Sequence, residues 1–311
     1  MTTTLAAPDA RAAAVLRRME IDVTRRLDGL LHGDHRGLVP GRGSEPGESR
    51  PYVHGDDVRQ IDWNVTARTG ATHIRESIAD RELETWLIVD RSPSLEFGTA
   101  DSTKATLALS ACAAVGFLTT HGGNRLGAIV AGRDGVTTVP ARQGRRHTLG
   151  VLSRVASSSD SDGAVTVTFG EALRRAGGIV RRRGLIVVVS DFLDPIESWS
   201  KALGALGARH EVLAIECSDP REFELPAAGI VGLVDTETGR IVEINTSRAS
   251  VRQGFAAAGV ARRAAVHAAI LGSGADHLGL STDRDWLADV AGHVTRRKRR
   301  RANATTVGAK R

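Results

Sequence analysis

Residues 86–94 read Trp86-Leu87-Ile88-Val89-Asp90-Arg91-Ser92-Pro93-Ser94. Four apolar residues stop at an acid, and two serines follow at alternate positions. A short apolar run bounded by polar and proline residues has the pattern of a buried strand. In open parallel α/β sheets ligands gather outside the carboxyl ends of the strands, and this is where the pattern puts Asp90. The D-x-S-x-S spacing brings one carboxylate and two hydroxyls onto a single turn. Such hard oxygen donors suit Mg²⁺ or Mn²⁺ rather than Zn²⁺.

Leu185-Ile186-Val187-Val188-Val189-Ser190-Asp191 repeats the pattern. Near-continuous apolar runs belong to parallel strands covered on both faces. If the two strands are neighbours, Asp90 and Asp191 meet at one crevice beside Ser92 and Ser94. Thr166 or Thr168, ahead of a helix expected over 169–182, can add a further hydroxyl. Asp194 reads as a turn acid before Pro195.

Outward from these two runs, strands and helices alternate. Helices are expected near 103–120 (with Leu107, Ala111, Val115 and Leu118 on one face), 146–156, 169–182, 196–207, 248–271 and 283–295. Strands are expected at 124–131, 211–216 and 276–280, with an antiparallel neighbour at 136–141. A hairpin is expected to join 230–234 to 240–244. Alternation of this kind predicts an α/β fold with a doubly wound, mostly parallel sheet over residues 81–295.

Residues 1–80 form an N-terminal helical and loop extension. Ala12, Val15, Leu16, Met19, Val23, Leu27, Leu30 and Leu31 make an apolar stripe within a helix expected over 9–32, to pack on the body or on a partner helix. Residues 33–51 are rich in Gly and Pro and read as a loop. No Gly-Lys-Ser/Thr follows its glycines, which excludes a P-loop. Next comes a dense motif, Tyr52, Gly55, Asp56, Asp57, Arg59, Asp62 and Trp63, then Ala67-Arg68-Thr69-Gly70. Arg59 and Arg68 can pair bidentately with carboxylates, so the motif reads as an ion-pair network that fastens or docks the extension. Residues 72–78 suggest an edge strand.

The 311 residues carry a net charge of +6. Eight basic residues and no acid lie in 296–311, and without them the remainder carries −2. That segment is expected to be a solvated, disordered basic tail. The near-neutral body argues against nucleic acid as the main partner. No apolar run reaches the roughly 20 residues of a membrane span, and Arg11, Arg17, Arg18 and Glu20 interrupt any signal-peptide core. The expectation is a cytoplasmic protein. Cys112 and Cys217 stand in apolar contexts and read as buried thiols. The histidines lack H-E-x-x-H or similar spacing, which argues against zinc. No general base pairs with an activated nucleophile, so the chain reads as non-enzymatic. The alternatives are a Mg²⁺-dependent phosphotransferase using Asp90, and nucleic-acid or anionic-surface binding through the basic tail.

The residues also carry a family resemblance. D-x-S-x-S, a downstream threonine and a later strand-end Asp resemble the metal-ion-dependent adhesion site (MIDAS) of von Willebrand factor A (vWA) domains. Y-x-x-G-D-D-x-R-x-I-D-W, then A-R-T-G, D-x-S-P-S and F-G resemble the vWA-like domain-of-unknown-function family fifty-eight. The resemblance implies a vWA-like, Rossmann-type fold. It further implies a divalent cation held by Asp90, Ser92, Ser94, Thr168 and Asp191. As a partner it implies a MoxR-type AAA+ ATPase, with which the chain acts as an adaptor in protein maturation or assembly.

Overall fold

The computed structural model describes residues 21, 25, 49–53, 58, 61–75, 84–121, 123–132, 135–157, 167–234 and 240–308. Of the helix expected over 9–32 only Ile21 and Arg25 are described, both helical; its other positions, most of the 33–51 loop, and Gly55, Asp56, Asp57, Arg59 and Thr166 lie outside the described residues. The chain divides into two compact units, one of them Pro40–Glu82.

In the smaller unit, β1 (Ser49–Pro51) pairs antiparallel with β2 (His73–Arg75). The edge strand expected at 72–78 is therefore part of a separate two-stranded sheet. Between them lies α1 (Trp63–Thr69). The Asp62 carboxylate accepts from the backbone N–H groups of Asn64 and Val65 at 3.1 and 3.2 Å. It thereby satisfies donors that a helix start leaves open. Gly70 ends the helix with φ 70°. Arg68 donates to the Asn64 carbonyl of its own helix at 3.2 Å, where an arginine–carboxylate pair was expected. Asp62 thus acts here as a helix cap. Trp63 is 70% exposed, and Tyr52 holds the strand pair through its backbone N–H to the Thr72 carbonyl at 2.8 Å.

The larger unit is built on a six-stranded sheet. Its members are β3 (Glu84–Asp90), β4 (Arg125–Gly132), β5 (Gly135–Arg142), β6 (Leu185–Ser190), β7 (Glu211–Ser218) and β10 (Asp276–Ser281). They lie in the order β10-β7-β6-β3-β4-β5. All neighbours are parallel except β4 and β5. Numbered within the sheet this is the doubly wound order 3-2-1-4-5-6, whose topological switch point lies between β3 and β6. The expectation of a doubly wound, mostly parallel, Rossmann-type α/β sheet holds.

Successive residues of a strand face opposite sides of the sheet, and β3 and β6 are apolar on both. Leu87, Val89, Val187 and Val189 join one buried cluster with α2 (Lys104–His121), α3 (Arg145–Ala156) and the start of α7 (Trp286–Gly308). Trp86, Ile88, Ile186 and Val188 join the other with α4 (Phe169–Ile179), α5 (Ile196–Gly207) and α6 (Ala249–Gly272). Burying each such aliphatic side chain contributes about 1.5–3 kcal/mol. Helix α2 is enclosed all round: from Lys104 to Thr120, Thr106 alone is exposed. Its Ala-rich sequence permits that close packing, which the single apolar face read from the sequence understated.

β8 (Ile230–Val234) and β9 (Ile241–Asn245) form a separate ribbon. Ile230, Val234, Ile241 and Val242 are exposed on it. The segment expected to be a disordered tail differs at its start. Helix α7 continues to Gly308. The Arg297 guanidinium is buried against Glu211 and, at 3.0 Å, Asp276, at the amino ends of β7 and β10. Cys112 and Cys217 are free and buried, as expected, and burial pushes the Cys112 thiol up to about 12. Among the described residues no helix is long and apolar enough to cross a membrane.

Candidate functional site

The strand-end cluster forms where β3 and β6 lie side by side, with Val89 level with Val189. Asp90 closes β3, and Asp191 directly follows β6. Both are buried. Asp90 Oδ1 accepts the Ser92 backbone N–H at 2.9 Å, and its Oδ2 accepts the Ser190 hydroxyl at 2.7 Å. The Ser92 and Ser94 hydroxyls are 3.0 Å apart, and Ser94 donates to Asp191 Oδ2 at 2.7 Å. Four of the five residues expected to hold a cation are therefore in one hydrogen-bonded group.

The fifth is placed differently. Thr168 is exposed and caps α4, its hydroxyl accepting from the Glu171 N–H at 3.4 Å. An exposed residue at a loop-to-helix junction has ready use for a hydroxyl as an N-cap. Asp194, read as a turn acid, is electrostatically closer to the cluster. Burial first, then the charge of Asp191, raises its pKa, while a hydrogen bond from the Phe169 N–H opposes the rise.

Three further residues complete the cluster and were not legible as site residues. Ser190 bridges β6 to Asp90. Lys104, at the start of α2, is fully enclosed, and its ammonium donates to Asp191 Oδ2 at 2.7 Å and to Glu222 Oε1 at 2.5 Å. Glu222 belongs to a short turn of helix, Pro220–Glu222, capped by Asp219. Nothing in the local sequence around Lys104 or Glu222 marks them, because Lys104 meets Asp191, and Glu222 meets Lys104, only through the sheet order. Asp219, itself buried, accepts from the Thr99 N–H and hydroxyl at 2.7 and 2.6 Å and from the Thr282 hydroxyl at 2.7 Å. It ties the loop after Ser94 to the ends of β7 and β10.

Phe192 anchors the turn from beneath. It has φ 52°, in the left-handed region that a bulky residue rarely adopts. Its ring is fully buried between Phe169 and Trp199, with centroids 5.6 and 5.1 Å away. Arg262 donates to the Phe192 carbonyl at 3.0 Å and also to that of Leu193.

The electrostatics follow from burial. Asp90 is raised to about 7, first by desolvation and next by the neighbouring Asp191 charge. For Lys104, burial opposes the charge, but Asp191 and Glu222 together hold its pKa above the ordinary value. Two carboxylates crowded together with two hydroxyls make an oxygen-rich cluster of the hard-donor kind, and an added cation would offset both the burial and the neighbouring charge that raise Asp90. The donor set at Asp90, Ser92, Ser94 and Asp191 thus suits a hard cation. Among the described residues no three His, Cys, Asp or Glu side chains form a metal-holding group, so hydroxyls would have to supply part of the coordination.

The family described as "Protein of unknown function DUF58" matches residues 48–265, and the chain belongs to it. An uncharacterized protein of Mycobacterium tuberculosis is 52% identical over 291 residues, covering 94% of this chain and 91% of the relative. An uncharacterized protein of Mycobacterium avium is 47% identical over 167 residues, covering 53% of this chain and 96% of its own. Among solved structures, the chain is similar to the conserved hypothetical protein BatB from Bacteroides thetaiotaomicron, with 15% identity and a TM-score of 0.41. That likeness covers 70% of this chain and 99% of the other. It is also similar to the SpRpn10 VWA domain, with 12% identity and a TM-score of 0.39, over 68% and 94% of the two chains.

Proposed function

We propose that this member of the DUF58 family is a non-enzymatic adaptor that works in the cytoplasm and binds a partner protein at the carboxyl edge of its sheet. Asp90, Ser92, Ser94 and Asp191 would hold Mg²⁺ or Mn²⁺, and a carboxylate of the partner would take an open coordination position. The observation that carries this reading is the meeting of Asp90 and Asp191, from neighbouring strands, with both serines at the switch point. That position is where doubly wound sheets bind their ligands. The exposed aliphatic ribbon β8–β9 and exposed Trp63 also support binding of a protein, since clustered exposed apolar side chains mark interaction surfaces. The resemblance carried by the Tyr52–Trp63 motif proposes a MoxR-type AAA+ ATPase as the partner, in chaperone-like maturation or assembly of other proteins.

Affinity capture from native cell extract, with Mg²⁺, with EDTA and with Asp90→Ala, tests this. Recovery of an AAA+ ATPase only with Mg²⁺ and intact Asp90 is the expected result. Recovery under all three conditions would refute the metal-gated edge and shift docking to Trp63 and its motif, to be tested by Trp63→Ala.

A further inference from the structure

We propose that Lys104 is the built-in counter-cation of the strand-end cluster and that its ammonium limits how tightly a divalent cation binds there; this rests on the reading of Asp90, Ser92, Ser94 and Asp191 as cation ligands. Lys104 opens α2, and its backbone N–H donates to the Phe97 carbonyl at 2.9 Å. The loop that carries both serines therefore also fixes where the lysine side chain begins. That side chain is 1% exposed, and its ammonium lies 2.7 Å from Asp191 Oδ2 and 2.5 Å from Glu222 Oε1.

A buried ammonium is tolerated only when paired, and a buried carboxylate likewise. Lys104 satisfies both requirements at once, so Asp191 and Glu222 keep their places with no metal bound. Its charge rests on an oxygen of Asp191, itself a ligand in the proposed site. A divalent cation entering the cluster meets that like charge at short range, where poor solvation strengthens the repulsion well beyond its value in water. Asp191 and Glu222 already outnumber this single ammonium, so negative charge remains for a cation to neutralise, and Asp90 adds further oxygen donors beside them. The cluster is thus tuned toward weak, exchangeable divalent binding.

Mn²⁺ titration calorimetry and thermal unfolding with and without Mn²⁺, on the parent chain, Lys104→Met and Asp90→Ala, test the assignment. Lys104→Met is expected to melt at lower temperature without metal. It is expected to bind Mn²⁺ at least about tenfold more tightly than the parent, and to gain more in Tm from saturating Mn²⁺. Equal affinity in the parent and Lys104→Met would overturn the role given to Lys104 and leave the metal reading standing. No Mn²⁺ binding by either, or binding that survives Asp90→Ala, would overturn the metal reading and this inference with it. If Lys104→Met does not fold, Lys104→Gln serves. It keeps a donor in place of the ammonium but removes the charge, so Mn²⁺ affinity should rise about threefold or more. Unchanged or weaker binding would overturn the proposal.

Discussion

The Ser190 hydroxyl donates to Asp90 Oδ2 at 2.7 Å, so the last residue of β6 holds the last residue of β3. The Ser190 hydroxyl oxygen in turn accepts the Phe192 N–H at 2.9 Å. One hydroxyl thus links the two strand ends and the strained turn behind Asp191. Ser190→Ala leaves a buried carboxylate oxygen and a buried N–H without that partner, at a cost of about 2–4 kcal/mol. Urea unfolding measures it, and a change within experimental error would show that the bridge carries no weight.

Phe192 is the pin under the site. Phe192→Ala removes a fully buried ring between Phe169 and Trp199 and should cost about 3–5 kcal/mol. Relief of backbone strain returns little of this, since alanine also avoids positive φ. Phe192→Gly offers the comparison: it loses the same ring but accepts the φ of 52°. It should therefore be more stable than Phe192→Ala by about 0.5 kcal/mol, as relief of the left-handed conformation outweighs glycine's larger unfolded-state entropy. A glycine variant clearly less stable than the alanine one would contradict the strain.

Gly170 sits where α4 meets α5. A Cβ at this position would lie 2.1 Å from the Ser198 carbonyl oxygen, a backbone atom that cannot swing away. Gly170→Ala must therefore push the helices apart, at about 1–3 kcal/mol or more. Gly178→Ala is the control, because nothing lies within 4 Å of its added Cβ. It should be neutral or stabilising by about 0.5–1 kcal/mol, as alanine is the better helix former. Thermal melts of the two variants should move in opposite directions or differ clearly in size.

His210 should give the fold a pH dependence. Burial first, then the charges of Arg209 and Arg183, lower its pKa, and neither ring nitrogen has a hydrogen-bond partner among the described residues. The unfolded chain takes up the proton first, so on this account stability is full above the ordinary histidine value, near 6.5. It falls as pH drops through that value toward the lowered one. His210→Leu should lose less stability than the parent between pH 7.5 and 5.5 in urea titrations. Parallel losses in the two proteins would remove His210 as the cause.

Arg297 connects α7 to the amino ends of two strands through Glu211 and Asp276. Arg297→Ala leaves two carboxylates without this cation, and should cost about 2–4 kcal/mol, toward the lower part of the range for a buried pair because both acids keep some contact with water. Arg296→Ala, one residue earlier and exposed, should change stability by less than about 0.5 kcal/mol. Equal effects would mean that the basic segment acts by net charge alone.

The sequence by itself determined the sheet and half of the cluster. The runs ending at Asp90 and Asp191 are apolar on both faces, which only a covered parallel strand accommodates, and an acid after such a run must sit at the strand end. Asp90, Ser92 and Ser94 are neighbours in sequence, so one turn assembles them whatever the rest does. Tertiary structure alone decided that β3 and β6 are adjacent, which brings Ser94 and Ser190 onto carboxylates 97 and 100 residues away. It also decided that Lys104 lies between Asp191 and Glu222, that Thr168 caps a helix, and that Arg297 belongs to the folded body. Spacing along the chain carries local geometry. Which distant charge fills a buried hole depends on how layers stack, because enclosed charges must find partners and only the packed sheet determines which ones lie within reach.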